Sequence, residues 1–186
     1  MINFSFLKPS SGCFPQNPRD YLDPSQTAAI WHNQNITPLL GLQSRLSSDQ
    51  RKVLGIQSQN KWLEIDLAAK KLLAHQGSDL LLTAPINTGR YFPTPIGEYF
   101  IFQKYLSVDL SGGSRLSQTY YYLPNVPYTL YFTPQLAIIG SYWSENFGGE
   151  SGFGCIEVAP EIAETLYYWA DSPTTSSSPG TKVVIH

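Results

Sequence analysis

The chain has 186 residues, enough for one domain with a real core and too few for two comfortable ones. Hydrophobic residues make up 42%, ordinary for a globular protein, and charged residues are sparse at 14%. With a net charge of -2 and scattered Lys and Arg, there is no electrostatic case for nucleic acid or an anionic membrane as partner.

Residues 1–57 read as an irregular arm or linker, interrupted by Pro9, Pro15, Pro18 and Pro24 and rich in Gln, Asn and Ser. Met1–Leu7 is too short for the apolar core of a signal peptide, so no export signal is read in this stretch. Cys13 follows Ser10-Ser11-Gly12, a faint likeness to a lipid-attachment box that lacks its apolar residue. Asp23-Pro24-Ser25 predicts the start of a short helix running to Trp31, since Asp caps well and Pro is tolerated in a first turn. Asn35-Ile36-Thr37 matches a glycosylation sequon, a pattern frequent by chance. Ser47–Gly55 suits a further helical turn or a linker.

From Trp62 the period changes to two. Trp62–Leu67 and Lys71–Ala74 predict a hairpin, and Leu80–Ala84 a buried strand. A Pro/Gly-rich turn spans residues 85–97, and Glu98–Tyr105 alternates again. Gln118–Leu123 and Tyr128–Thr133 predict two strands joined across Pro124-Asn125-Val126-Pro127, and Gln135–Ile139 is short and apolar. Pro160 opens the single convincing helix of residues 58–186, with Ile162, Ala163, Leu166, Tyr167, Trp169 and Ala170 on its apolar face. Residues 172–180 predict a surface loop and Thr181–Ile185 a last strand. No stretch approaches the ~20 apolar residues of a membrane span.

The informative stretch runs from Ile138-Ile139-Gly140-Ser141-Tyr142-Trp143 through Asn146-Phe147-Gly148 to Gly152-Phe153-Gly154-Cys155-Ile156. Gly-x-Gly-Cys places a cysteine on a tight turn where adjacent backbone amides can form an oxyanion hole. A structural cysteine after a glycine turn looks the same, and a disulfide between Cys13 and Cys155 stays open, because two cysteines give no framework signature.

In order and spacing, Trp62 to Ile185 resembles the L,D-transpeptidase (YkuD) catalytic domain family. The likeness rests on Trp62–Leu67, Thr88-Gly89 with Pro93-Thr94-Pro95-Ile96-Gly97, Leu123–Tyr128, Tyr142-Trp143, Asn146-Phe147-Gly148 and Gly154-Cys155-Ile156. It implies a mainly β fold, a β-sandwich or barrel with one helix after the nucleophile segment, over residues 58–186. It also implies extracytoplasmic acyl transfer between peptidoglycan stem peptides, with no cofactor and no metal. By that resemblance Cys155 is the nucleophile, Gly154 and Cys155 supply oxyanion amides beside Gly140, and Tyr142, Trp143 and Phe147 line the substrate groove.

The departures concern the catalytic groups. The family's Ile-His-Gly reads Ile138-Ile139-Gly140, and its Ser-His-Gly-Cys reads Gly152-Phe153-Gly154-Cys155. Its Trp-His-Asn reads Trp143-Ser144-Glu145, and Glu157 stands where Arg or Asn is usual. Without an imidazole at Ile139 or Phe153, a thiol of pKa near 8.5 is only ~3% thiolate at pH 7, a loss of ~2 kcal/mol. Lost general acid–base help removes a further factor on the order of 10²–10⁴. His32, His75 and His186 are the only histidines; His32 is the best substitute, since an arm can fold back over a cleft. Three isolated histidines give no metal-ligand spacing. Gly149–Phe153 misses a serine-hydrolase elbow by its last residue, and Glu145 with Glu150 reads as solvated loop carboxylates rather than a glycosidase pair. Two functions follow: an impaired transpeptidase, or a non-catalytic peptidoglycan-binding pseudoenzyme.

Overall fold

The computed structural model describes residues 12–41, 44–54, 60–173 and 179–186. The chain is mainly β. Strands β1 (Gln16–Arg19), β2 (Ala29–Trp31) and β3 (Gln34–Ile36) come first, then helix α1 (Ser48–Leu54). There follow β4 (Lys61–Asp66), β5 (Lys71–Gln76), β6 (Asp79–Pro85), β7 (Thr88–Gly89), β8 (Gly97–Phe100), β9 (Gln103–Gly112) and β10 (Tyr121–Tyr131). The chain ends with β11 (Ala137–Gly140), β12 (Glu150–Ser151), β13 (Ile156–Val158), helix α2 (Pro160–Trp169) and β14 (Lys182–Ile185).

The alternation of Trp62–Leu67 does form a hairpin. β4 and β5 pair antiparallel, burying Leu63, Ile65, Leu72 and Ala74, and Asp66 accepts the Ala69 N–H at 2.8 Å to close the turn. They belong to a five-stranded sheet ordered β6-β5-β4-β14-β8, in which β14 lies parallel to β4. β6 is not the buried strand its leucines suggest: it is an edge, and Leu80 and Leu81 are half exposed. An apolar run cannot tell a central strand from an edge.

The second sheet is seven-stranded, with β1-β9-β10-β11-β13 as its main path and β2–β3 attached to β10. Here two expected strands are one. β10 runs through Pro124 at a register shift between Leu123 and Val126, a bulge where proline's missing N–H costs no ladder bond, and Pro127 continues the strand opposite Ser107. Asn125 takes the positive φ of 56° that the bulge requires, and its N–H donates to Asp109 Oδ1 at 3.0 Å. Both sheets and α2 share one core that includes Leu63, Ile65, Leu110, Leu123, Leu130, Ile138, Ile156 and Leu166.

Helix α2 starts at Pro160 as expected, and turns Ala163, Leu166 and Trp169 inward. Its last carbonyls are taken by lysines: Lys61 donates to Trp169 O at 2.8 Å, and Lys104 to Tyr167 O and Ala170 O at 2.7 and 2.6 Å. Burial, the largest influence, lowers the Lys104 ammonium to about 8. α1 is held by a capping box, Gln50 N–H to Ser47 Oγ at 3.2 Å and Ser47 N–H to Gln50 Oε1 at 2.8 Å.

The segment read as irregular differs most from expectation. No helix follows Asp23; its carboxylate instead accepts the Ser25 N–H and hydroxyl at 2.9 and 2.6 Å, forming a local turn. The chain then extends as β2, whose Ile30 pairs with Tyr122 of β10, and reverses through His32 and Asn33 into β3. Positive φ at both turn residues, 49° and 63°, marks a two-residue hairpin turn. Charge and amide contacts fix the segment: Arg19 donates two hydrogen bonds to Asp109, and Asn125 Nδ2 donates to Asp23 O and Leu39 O at 2.8 and 2.9 Å. The buried Glu164 of α2 accepts from Ser44 Oγ and from the Arg45 N–H. Among the described residues, no helix is long and apolar enough to cross a membrane.

Candidate functional site

The site lies between β11 and β13, which run parallel with Ile138 beside Ile156, Ile139 beside Glu157 and Gly140 beside Val158. The connection between them carries Tyr142, Trp143, Phe147 and the glycine turn before Cys155. Gly152 and Gly154 have φ of 54° and 97°, and a Cβ on Gly154 would press on Phe92 at 2.9 Å. This turn is clamped by the Thr88–Gly97 segment. β7 pairs with β12, Arg90 N–H donates to Ser151 O at 2.9 Å, and Tyr91 N–H donates to Gly152 O at 3.1 Å. Thr94 Oγ1 accepts the Gly89 N–H at 3.1 Å and donates to Gly154 O at 3.0 Å. The Thr-Gly and Pro-Thr-Pro elements are therefore the brace of the cysteine turn, which gives their joint appearance a physical reason.

Cys155 itself is not an open thiol. Its Sγ is bonded to Sγ of Cys13, 142 residues earlier, with the Cα atoms 6.3 Å apart. Both residues are buried, at 6% and 4% exposure for Cys13 and Cys155. The sulfur that the resemblance makes a nucleophile is closed off by residues from the N-terminal part of the chain.

Around it stands a collar of rings. Trp31 stacks on His32 at 4.2 Å and lies 5.5 Å from Trp143 and 5.9 Å from Tyr121. Phe153 packs on Tyr91 and Tyr121 at 5.1 and 5.3 Å, and His32 meets Tyr91 edge-on at 5.6 Å. Trp31, Tyr121, Trp143 and Phe153, with Ile139 and the disulfide, line a cavity of about 10 Å³, room for no more than about one water molecule.

Ile139 is fully buried in this lining, and Gly140 lets Ala163 of α2 approach closely. Tyr142 donates its hydroxyl to Pro124 O at 2.8 Å, and its ring meets Trp143 edge-on at 5.1 Å. Phe147 is half-buried in the same connection. His32 is brought near the site against Trp31 and Tyr91 but does not line the cavity at Cys155, and burial first, then Arg90, lowers its pKa. His75 and His186 lie elsewhere; both contact Glu64 on the five-stranded sheet, at 3.1 and 3.0 Å. Glu150 is tied to Lys70 at 2.9 Å, and Glu145 is exposed, so the two act as surface carboxylates.

Glu157, marked in the sequence only as a departure from the family pattern, gains a buried role in the structure. Glu157 is 3% exposed, and its Oε2 accepts hydroxyls of Ser151, Ser144 and Ser141 at 2.7, 3.2 and 3.4 Å. Burial raises its pKa above the usual carboxylate range, with the serine hydroxyls pulling the other way. Its burial and its serine partners were not legible, since serines near a carboxylate are too common a pattern to single out. Burial and Glu157 together push the Tyr121 hydroxyl up to about 12, so it stays protonated as a donor. Among the described residues no group of three or more His, Cys, Asp or Glu is placed to hold a metal ion.

Residues 60–185 match the L,D-transpeptidase catalytic domain, YkuD. Among curated proteins the sequence finds no match. Similar solved structures include an L,D-transpeptidase from Mycobacterium smegmatis, 22% identical with a TM-score of 0.58, covering 68% of this chain and 58% of that one. L,D-transpeptidase 3 from Mycobacterium tuberculosis is 19% identical, TM-score 0.56, covering 68% and 61%. The catalytic domain of an Enterococcus faecium L,D-transpeptidase is 23% identical, TM-score 0.54, covering 70% and 99%. The chain thus spans about three-fifths of the mycobacterial structures and nearly all of the isolated enterococcal domain. At these identities the structures establish the fold, and with the match over residues 60–185 the chain belongs to the L,D-transpeptidase (YkuD) catalytic domain family.

Proposed function

We propose that this chain is a non-catalytic L,D-transpeptidase-fold domain that docks to peptidoglycan outside the cytoplasm. The observation that carries the reading is the Cys13–Cys155 disulfide, which occupies the only sulfur the family reaction could use. Ile139 and Phe153 add to it, since neither supplies a proton acceptor. Glu157, which lines the same small cavity, brings no positive charge that would stabilise a thiolate. Peptidoglycan as partner, and the extracytoplasmic location, come from family membership; a disulfide between these cysteines suits an oxidising compartment. With the cleft filled, docking falls to the outer surface, where Tyr91 and Phe92 stand about 40% exposed beside the closed site.

A second reading is acyl transfer by reduced Cys155, and the braced glycine turn favours it. Gly154 and Cys155 would supply oxyanion amides beside Gly140, while Tyr142, Trp143 and Phe147 would line the donor groove. One experiment separates the two. Purified protein is incubated at pH 7 with a carbapenem, before and after reduction by dithiothreitol, and its intact mass is followed; co-sedimentation with purified sacculi is measured in parallel. The docking reading expects sacculus binding in the oxidised form and no rapid adduct in either form. An adduct forming within minutes after reduction supports the acyl-transfer reading instead, and absence of co-sedimentation sinks docking.

A further inference from the structure

The residues that close the cleft are held there as a peptide is held. All four backbone polar groups of Gly12–Cys13 are satisfied by the cleft wall. Gly12 N–H donates to Phe153 O at 3.1 Å and Cys13 N–H to Gln135 O at 2.6 Å. Tyr121 Oη donates to Gly12 O at 3.2 Å and Tyr131 Oη to Cys13 O at 2.6 Å. Both tyrosines are buried, so these hydroxyls are fixed donors rather than surface groups. Gly12 has φ of 102°, and a Cβ there would lie 2.6 Å from Gln135 O, so the position admits no L side chain. Two aimed donors, two aimed acceptors and a steric filter make a site that reads peptide backbone bent at a glycine.

We infer that Gly12–Cys13 is a tethered occupant of a peptide-binding groove, and that the Cys13–Cys155 disulfide is a latch that a dithiol can open. In the opening step a reductant thiolate attacks one sulfur and the Cys13–Cys155 bond breaks, leaving a mixed disulfide. The reductant's second thiol closes its own disulfide and releases the other cysteine, so two electrons and two protons pass to Cys13 and Cys155. The segment then leaves by local unfolding, uncovering the tyrosine hydroxyls, the carbonyls and the Cys155 sulfur for a peptide that bends at a glycine placed against Gln135. Whether the freed sulfur turns over is a separate matter.

The test uses the full chain with Cys13→Ser, which removes the bond and keeps the backbone contacts. Cys155 alkylation by N-ethylmaleimide is timed by mass in increasing urea, alone and with Tyr131→Phe or Gly12→Ala added. Local release predicts a rate nearly independent of low urea, faster by about fivefold to tenfold when one hydrogen bond is deleted. Oxidised wild-type protein gains no label until dithiothreitol is added, then gains two while near-ultraviolet circular dichroism stays folded. A labelling rate that follows global unfolding through the whole urea series overturns the inference, and so does one indifferent to both added substitutions. Carbapenem reactivity does not enter this readout, so its outcome stands apart from the docking reading.

Discussion

At the scale of single residues, Glu157 is a buried carboxyl held by serine hydroxyls in the lining of this site. Its folded pKa is raised while the unfolded chain ionises near 4.5, so unfolding releases a proton that the folded state retains. Its contribution to stability is fully present below pH 4.5 and declines as pH rises through the raised folded value. Glu157→Gln imitates the protonated form. Melting curves between about pH 5 and 8 should therefore be flatter for the variant than for wild type, and higher at the alkaline end. A wild-type curve that rises over that range would contradict the assignment. The same neighbourhood decides what restored histidines can do. Ile139→His with Phe153→His sets one imidazole beside Glu157 and both near the sulfur, so thiol alkylation should accelerate by on the order of tenfold or more, but only after reduction. Acceleration without reduction would mean the disulfide is not the barrier; none after reduction would mean the register is wrong.

At the scale of elements, patterns governed by side-chain alternation were readable and those governed by distant partners were not. Trp62–Leu67 with Lys71–Ala74 gave a hairpin, and Pro160 opened a helix, because each pattern is local. Pro124 and Pro127 looked like a strand break, yet Asp109 on β9 supplies the acceptor that lets β10 continue. Likewise Asp23-Pro24 looked like a cap, and the strand that followed was decided by the free edge of β10 at Tyr122. The glycine turn at Cys155 and its brace at Thr94 were legible as motifs; the ring collar was not, since Trp31 and Tyr91 lie far apart in sequence. Asn125 joins these elements, with 0% exposure and contacts to Arg19, Asp23 and Leu39. Asn125→Ala should destabilise the fold by about 2–4 kcal/mol, leaving buried partners unpaired and replacing asparagine with a residue less tolerant of positive φ. Asn125→Gly keeps the backbone at ease and should cost about 1 kcal/mol less. Urea melts give both values, and hydrogen exchange across residues 16–36 should speed up in each. Protection unchanged in that segment would detach it from Asn125.

For the whole molecule, the disulfide does more than occupy a sulfur. It closes a loop spanning 142 residues, from the first described turn to the strand before α2. In the chain-entropy view, a cross-link of that span removes about 5 kcal/mol of freedom from the unfolded chain, and measured disulfides commonly give 2–4. The segment it ties down is also held by Arg19–Asp109, by β1 on β9 and by β2 on β10, so the folded state barely depends on the bond for its shape. Its loss should then appear almost wholly as a change in the unfolded ensemble. Cys13→Ser with Cys155→Ser is expected to lower stability by about 3–5 kcal/mol, or roughly 6–20 °C in melting temperature, with a larger denaturant slope because the uncrosslinked chain expands further. Reduced wild type should fall on the same curve. If the double variant melts like oxidised wild type, the long loop is already constrained without the bond. The N-terminal segment would then be part of the folded unit by packing alone, and the latch would be dispensable to stability.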